Sequence, residues 1–210
     1  MYRQLLNERS YKLMAGPATE PVTTAQVKTW LRIDGTDDDD LLSLLIPAAR
    51  RMAEEYTKRA FITQTWALWM DRFWEGEIEK PGYWIGVSRP LDAATIKLSR
   101  EPIISITSVK TYNPSNTEAT VSSSVYVLDV AGAKVILNDG YSWPTDLRNK
   151  ASVLVTYQAG YGADTAVPEP IKQAIKIICA ALYESKGACD MPEGAKMLLD
   201  PFRTAESYGV

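Results

Sequence analysis

Apolar residues recur along the chain at two spacings, three to four residues apart in some stretches and two apart in others. The first helical stretch follows Pro21. Val22 and Val27 stand at the separation of a hydrophobic staple, and Thr23 with Gln26 fits a capping box. A helix is predicted from about Thr24 to Arg32, with Val27, Trp30 and Leu31 on its core face. Next, Leu41, Leu45, Ala48, Ala49, Met52, Ala53 and Tyr56 recur at helical spacing, with Arg50, Arg51, Glu54 and Glu55 on other positions. This is a second amphipathic helix. Pro47 has no N–H to offer Ser43, so a kink, or a helix that effectively begins later, is expected there.

From Phe61 the period changes to two. Ile62, Gln64, Trp66, Leu68 and Met70 would share one face of a strand rich in β-branched and aromatic residues. Tyr83–Val87, Ile103–Tyr112, Val125–Val130, Lys134–Leu137 and Ala151–Tyr157 repeat the pattern between Gly, Pro, Asn and Asp clusters. Residues 130–134 read as a hairpin connection, and residues 113–117 as a polar loop expected to be mobile. Helix returns after Val167: Pro170 suits a first turn, and Ile171, Ala174, Ile175, Ile178, Cys179 and Leu182 form an apolar stripe ending near Gly187. A short segment, 195–199, then leads to Pro201, Phe202, Arg203 and a polar tail.

The order helices, strands, helix predicts an α+β fold. Two N-terminal helices and the long C-terminal helix make a helical core, with an inserted antiparallel β-rich lobe. The expected division is an N-terminal arm over 1–20, the helical core over 21–61 and 161–200, the β-rich insertion over 62–160, and a C-terminal tail over 201–210.

Composition narrows the chemistry. The 210 residues, 46% of them hydrophobic, suffice for a real core. No apolar run approaches the roughly 20 residues of a membrane span, and the first residues lack a signal-peptide apolar region, so an intracellular protein is expected. Histidine is absent, which removes Ser-His-Asp and Cys-His catalysis. Cys179 and Cys189 belong to no metal-binding motif, and Cys179 reads as a core residue. A formal net charge of −3 argues against a protein that grips phosphates.

The four aspartates Asp37–Asp40 fall at the N-cap and first turn of the second helix. Free N–H groups and the helix dipole favour carboxylates there by a few tenths to about 1 kcal/mol each. That accounts for the run better than a calcium loop, whose alternating ligands and central glycine are missing. An enzymatic alternative would use these aspartates with a divalent cation for hydrolysis, but nothing adjacent raises one carboxyl pKa. The aromatic group Trp66, Trp69, Trp74, Tyr83 and Trp84 raises another alternative, a carbohydrate-binding module. Such residues more often fill a β core or a subunit interface, because each buries roughly 150 to 250 Å². Strict alternation cannot place Trp66 and Trp69 on one face, so one of them is expected to meet another element or a partner.

The stretch "PVTTAQVKTWLRIDGTDDDDLLSLLIPAARRMAEEYTKRAFITQTW" resembles the N-terminal signature of the phage head–tail connector (adaptor) family, which has relatives in prophages and gene transfer agents. "REPIISITSVKTY", "YSWP", "VLVTYQAGYG", "VPEPIKQAIKIICAALYESKG" and "LLDPFR" follow in the order of its longer members with a central β section. The resemblance spans about Pro21 to Arg203. Pro47 departs from the alanine-rich helix usual in the family.

The resemblance implies a structural virion protein at the head–tail junction, made in the host bacterial cytoplasm, with no enzymatic activity, cofactor, metal or membrane. It further implies a homo-oligomeric ring of about a dozen copies between the portal protein and a tail or stopper protein. DNA would pass the lumen during packaging and ejection without sequence-specific binding. An acidic lumen would avoid trapping DNA, and Asp92, Glu101, Asp139 and Asp146 are plausible acidic loop residues. Ring contacts must be heterologous. The candidate subunit-interface residues are Arg50, Arg51, Glu54, Trp69, Trp74 and Trp84. The candidate portal-docking residues are Pro201, Phe202, Arg203 and Tyr208, with a disordered tail as the plainer reading.

Overall fold

A computed structural model of the protein describes residues 9–73, 95–186 and 189–204. The chain is α+β and divides into two compact units, one of Gly16–Gln64, Ser99–Pro102 and Ala159–Val210, the other of Met1–Ala15, Thr65–Leu98 and Ile103–Gln158.

The first unit is helical. Helix α1 (Thr24–Leu31) starts at the capping box seen in the sequence: Gln26 N donates to Thr23 Oγ1 at 3.2 Å, and Thr23 N donates to Gln26 Oε1 at 2.9 Å. It ends at Arg32, which adopts φ 56° and donates its N–H to Lys28 O. Helix α2 (Asp39–Thr57) runs unbroken through Pro47, so it does not start late. Helix α3 (Glu169–Glu184) buries the predicted stripe from Ile171 to Leu182, and α4 (Glu193–Leu199) buries Ala195 and Leu199. Val27, Leu42, Leu45, Ile46, Ala49 and Ala53 join these residues, Phe61 and Ile62 in one core. Each fully buried Leu, Ile or Phe contributes about 1.5–3 kcal/mol. Among the described residues no helix is long and apolar enough to cross a membrane.

Two expected core positions turn outward. Trp30 is 47% exposed, its ring 5.5 Å from Lys176 Nζ, and Leu41 is exposed while Leu42 is fully buried. Two expected polar positions turn inward: Arg50 and Glu54 are both 6% exposed.

The second unit is built on β-sheets. Strands β1 (Arg9–Ala15), β2 (Gln64–Met70), β4 (Ile103–Tyr112), β5 (Glu118–Val121) and β8 (Val153–Ala159) form a five-stranded sheet in the order β1-β2-β8-β4-β5. Strands β3 (Thr95–Lys97), β6 (Tyr126–Asp129) and β7 (Lys134–Leu137) form a second sheet in the order β3-β7-β6. β1 runs antiparallel to β2, Arg9 opposite Met70 and Leu13 opposite Trp66, before a register shift ahead of Ala15. The segment expected to be an arm thus carries a strand. β8 alternates cleanly, burying Val153, Val155, Tyr157 and Ala159. The predicted strand at Tyr83–Val87 lies outside the described residues.

The hairpin at 130–133 joins β6 to β7, with Asp129 Oδ1 accepting Gly132 N at 3.0 Å. The loop expected to be mobile is instead held by Asn113. Its Oδ1 accepts the N–H groups of Ser115 (3.0 Å) and Thr117 (2.8 Å), and Arg148 bonds Asn116 Oδ1 at 3.0 Å.

Candidate functional site

A set of committed polar groups lies along the C-terminal half of α2. Residues 50 and 54 are one helical turn apart on the face that meets the core, so both side chains enter apolar surroundings. Arg50 Nη1 lies 2.6 Å from Glu54 Oε2, and Arg50 Nε lies 2.8 Å from Glu20 Oε2. Glu54 Oε1 also accepts Phe61 N at 3.0 Å and Gln64 Nε2 at 2.7 Å. A charge taken out of water must be paired and hydrogen-bonded to persist, and this carboxylate has both kinds of partner. Burial nonetheless outweighs Arg50 and the hydrogen bonds, and the Glu54 carboxyl is held above its usual range.

The same helix end gathers two further segments of this unit. Arg100 has φ 68°; its Nη2 bonds Glu55 Oε1 at 2.7 Å, and Lys58 Nζ lies 3.1 Å from Glu55 Oε2. Partial burial pushes Glu55 up, but Arg100 and Lys58 together hold it below the ordinary carboxylate range. Arg59 sits 3.5 Å from Glu101 and bonds the Phe202 carbonyl. Tyr56 OH donates to Asp200 Oδ1 at 2.5 Å, the Arg203 guanidinium stacks 5.0 Å from the Tyr56 ring centre, and Thr204 N reaches Thr57 O at 3.2 Å. The Asp200 hydrogen bond raises the Tyr56 phenol pKa.

These contacts locate the residues singled out from the sequence. Pro201 is exposed, whereas Phe202 packs against the helical core and Arg203 is half-buried, so the segment is folded through Thr204; Tyr208 lies outside the described residues. Arg50 and Glu54 are interior groups and are not available as a subunit surface; Arg51 is exposed. Trp69 is half-buried in the β unit and stacks on Tyr112 with ring centres 5.6 Å apart. Trp74 and Trp84 lie outside the described residues. Of the aspartates, Asp38 is the N-cap residue and accepts Tyr183 OH at 2.9 Å, while Asp39 pairs with Lys28 at 2.7 Å. Lys28 also reaches the Gly35 carbonyl. Among the described residues no three His, Cys, Asp or Glu side chains converge as a metal site would require.

Sequence reasoning missed Glu20, Gln64, Arg100 and Asp200. Each is polar and lies 10 or more residues along the chain from its partner, and no local period marks such a pairing. Arg50 and Glu54 did carry a signal, since a charged pair at i, i+4 within an apolar face is compatible with burial.

Arg50, Glu54 and Glu55 of α2 are committed to holding chain segments together, an arrangement suited to a structural protein. The family model described as "Phage gp6-like head-tail connector protein" matches residues 22–131, over half of the chain. No individually curated protein matches it. Several solved chains share the fold, three of them from gene transfer agent particles. One comes from the neck of an empty GTA particle computed with C6 symmetry (TM-score 0.73, 20% identity, covering 93% of this chain and 96% of that one). A second comes from the virion of a native gene transfer agent (GTA) particle (TM-score 0.69, 20% identity, 93% and 95%). A third comes from the neck of a native GTA particle computed with C12 symmetry (TM-score 0.64, 22% identity, 92% and 96%). This chain belongs to the phage gp6-like head–tail connector family.

Proposed function

We propose that the protein assembles into a ring of about a dozen copies at the head–tail junction of a virion, between a portal ring and a tail or stopper protein, and that DNA crosses its lumen. The observation that carries this reading is the family match over residues 22–131. The likeness of the fold to neck chains solved with C6 and C12 symmetry supports a cyclic arrangement. A net charge of −3 suits a channel through which a polyanion must slide without being held.

In this reading the α2 cluster makes the copy rigid enough to be a ring element. The C-terminal segment is the candidate portal contact. Phe202 and Arg203 act as its internal anchor, because their groups are already engaged by Arg59 and Tyr56. Pro201 and the residues after Thr204 remain to meet the portal, and Arg51, exposed on α2, is the retained candidate for a contact between copies of the chain. The carbohydrate-binding alternative is not favoured by the family assignment.

The experiment is assembly with the cognate portal. Purified chain mixed with portal rings is separated by size and imaged by negative stain. A stacked annulus on the portal is the expected result. A chain that neither forms rings nor co-migrates with the portal refutes the proposal.

A further inference from the structure

Helix α2 has a second face that the fold leaves uncovered. At 3.6 residues per turn, Asp40, Leu41, Leu44, Ala48, Arg51 and Glu55 fall along one stripe. Its apolar members are unusually open: Leu41 is 44% and Leu44 is 71% exposed. Pro47 and Ala48 beside them are small and only half-buried. At one end of the stripe Asp40 is exposed, and at the other Arg51 is exposed; among the described residues neither side chain has an ion-pair partner.

The order acid, leucines, small residues, base complements itself when reversed. Two such helices packed antiparallel about a two-fold axis at the level of Ile46 place Leu44 of each against Ala48 of the other, and Arg51 of each beside Leu41 and Asp40 of the other. Asp40 and Arg51 are separated by about 16 Å along the axis at 1.5 Å per residue, so both ion pairs form at the two ends of one apolar seam. Pro47 and Ala48 permit the close approach, roughly 8–10 Å between axes, that helix packing needs. Glu55, at the end of the stripe beyond Arg51, has its charge already matched by Arg100 and Lys58.

We propose that this stripe is a docking site for a second copy of the chain, giving an isologous two-copy form of the free protein. A two-fold contact closes on two copies and does not propagate, so it is distinct from the heterologous contacts of a ring. It gives the exposed leucines cover before the copy is built into a larger assembly.

Light scattering and sedimentation of the full chain across a micromolar to sub-millimolar series test it. The unaltered chain is expected to show a monomer–dimer equilibrium that weakens with salt. Leu44→Glu should weaken the dimer by about tenfold or more, as should Asp40→Arg and Arg51→Asp singly, while the double variant D40R/R51D restores it. All these positions are exposed, and circular dichroism verifies that the fold is kept. A chain that stays monomeric throughout, or a double variant no better than either single one, overturns the proposal. Loss of portal-bound rings in Leu44→Glu also overturns it, because the stripe would then be a ring contact. Rings that still form with Leu44→Glu separate this proposal from the connector reading.

Discussion

Replacing Arg50 by Met should destabilise the protein strongly at neutral pH and much less in mild acid. The substitution keeps an unbranched apolar stem but withdraws the guanidinium that lies 2.6 Å from Glu54. At about 4 Å between charge centres and an effective dielectric constant near 20, the lost attraction is about 4 kcal/mol. Removal of one partner of a buried pair costs about 3–5 kcal/mol in general. The second contact of Arg50, to Glu20, adds little, because that carboxylate is partly solvated. Glu54 keeps its bonds from Phe61 and Gln64, but these are neutral donors.

The pH dependence follows from the direction of the Glu54 shift. Its folded pKa already lies above the unfolded value because of burial, and losing Arg50 raises it further. The folded state then binds the proton more tightly than the unfolded one, so the stability gained from protonation is fully present below the unfolded pKa. It is lost as pH rises through the folded pKa, at most about 1.4 kcal/mol per pH unit. Urea unfolding followed by circular dichroism from acid to mildly alkaline pH should therefore show R50M recovering as pH falls. The double variant R50M/E54Q should regain most of the loss at neutral pH, since no charge is left stranded. An R50M deficit that is the same at every pH, or a double variant as unstable as R50M, would refute the reasoning.

Two further outcomes are expected. Gly160 adopts φ 131°, and a Cβ there would lie 2.4 Å from the Ile62 carbonyl oxygen, so Gly160→Ala should cost about 2–3 kcal/mol by thermal unfolding; Gly16→Ala, with nothing within 4 Å, is the near-neutral control. Tyr56→Phe removes the hydroxyl that donates to Asp200, so amide exchange across residues 200–204 should quicken by about two- to tenfold with little change in global stability; unchanged exchange would mean that Arg59 and Thr57 hold the segment unaided.

How far the sequence disclosed this structure depends on the range over which each signal acts. The capping box of α1 and the apolar stripe of α3 are local patterns, and both hold in the fold. Strands β4 and β7 were legible for the same reason, as β-branched runs between turn residues. The face of α2 was harder to read. Leu41, Leu42, Leu44, Leu45 and Ile46 are apolar at five of six consecutive positions, so periodicity there does not choose between Leu41 and Leu42. Strands β1 and β5 were missed because each lies at a sheet edge, where no strict alternation of apolar and polar residues is imposed. The clasp on the C-terminal segment was invisible because Tyr56 and Asp200 are 144 residues apart in the chain.

Had Leu41 filled the core, α2 would carry a polar outer surface and no apolar seam. The core takes Leu42 and Ile46 instead, and Leu41 and Leu44 are left outside at the cost of apolar surface kept in water. The buried Arg50–Glu54 pair is the other side of that rotation, because the face that turns Leu44 outward turns residues 50 and 54 inward. One rotation of α2 thus sets both the interior charge cluster that holds Phe61 and Gln64 and the exterior stripe available to another copy. Substitutions on the two faces should separate: R50M should lower stability and leave self-association of the folded chain intact, whereas L44E should do the reverse.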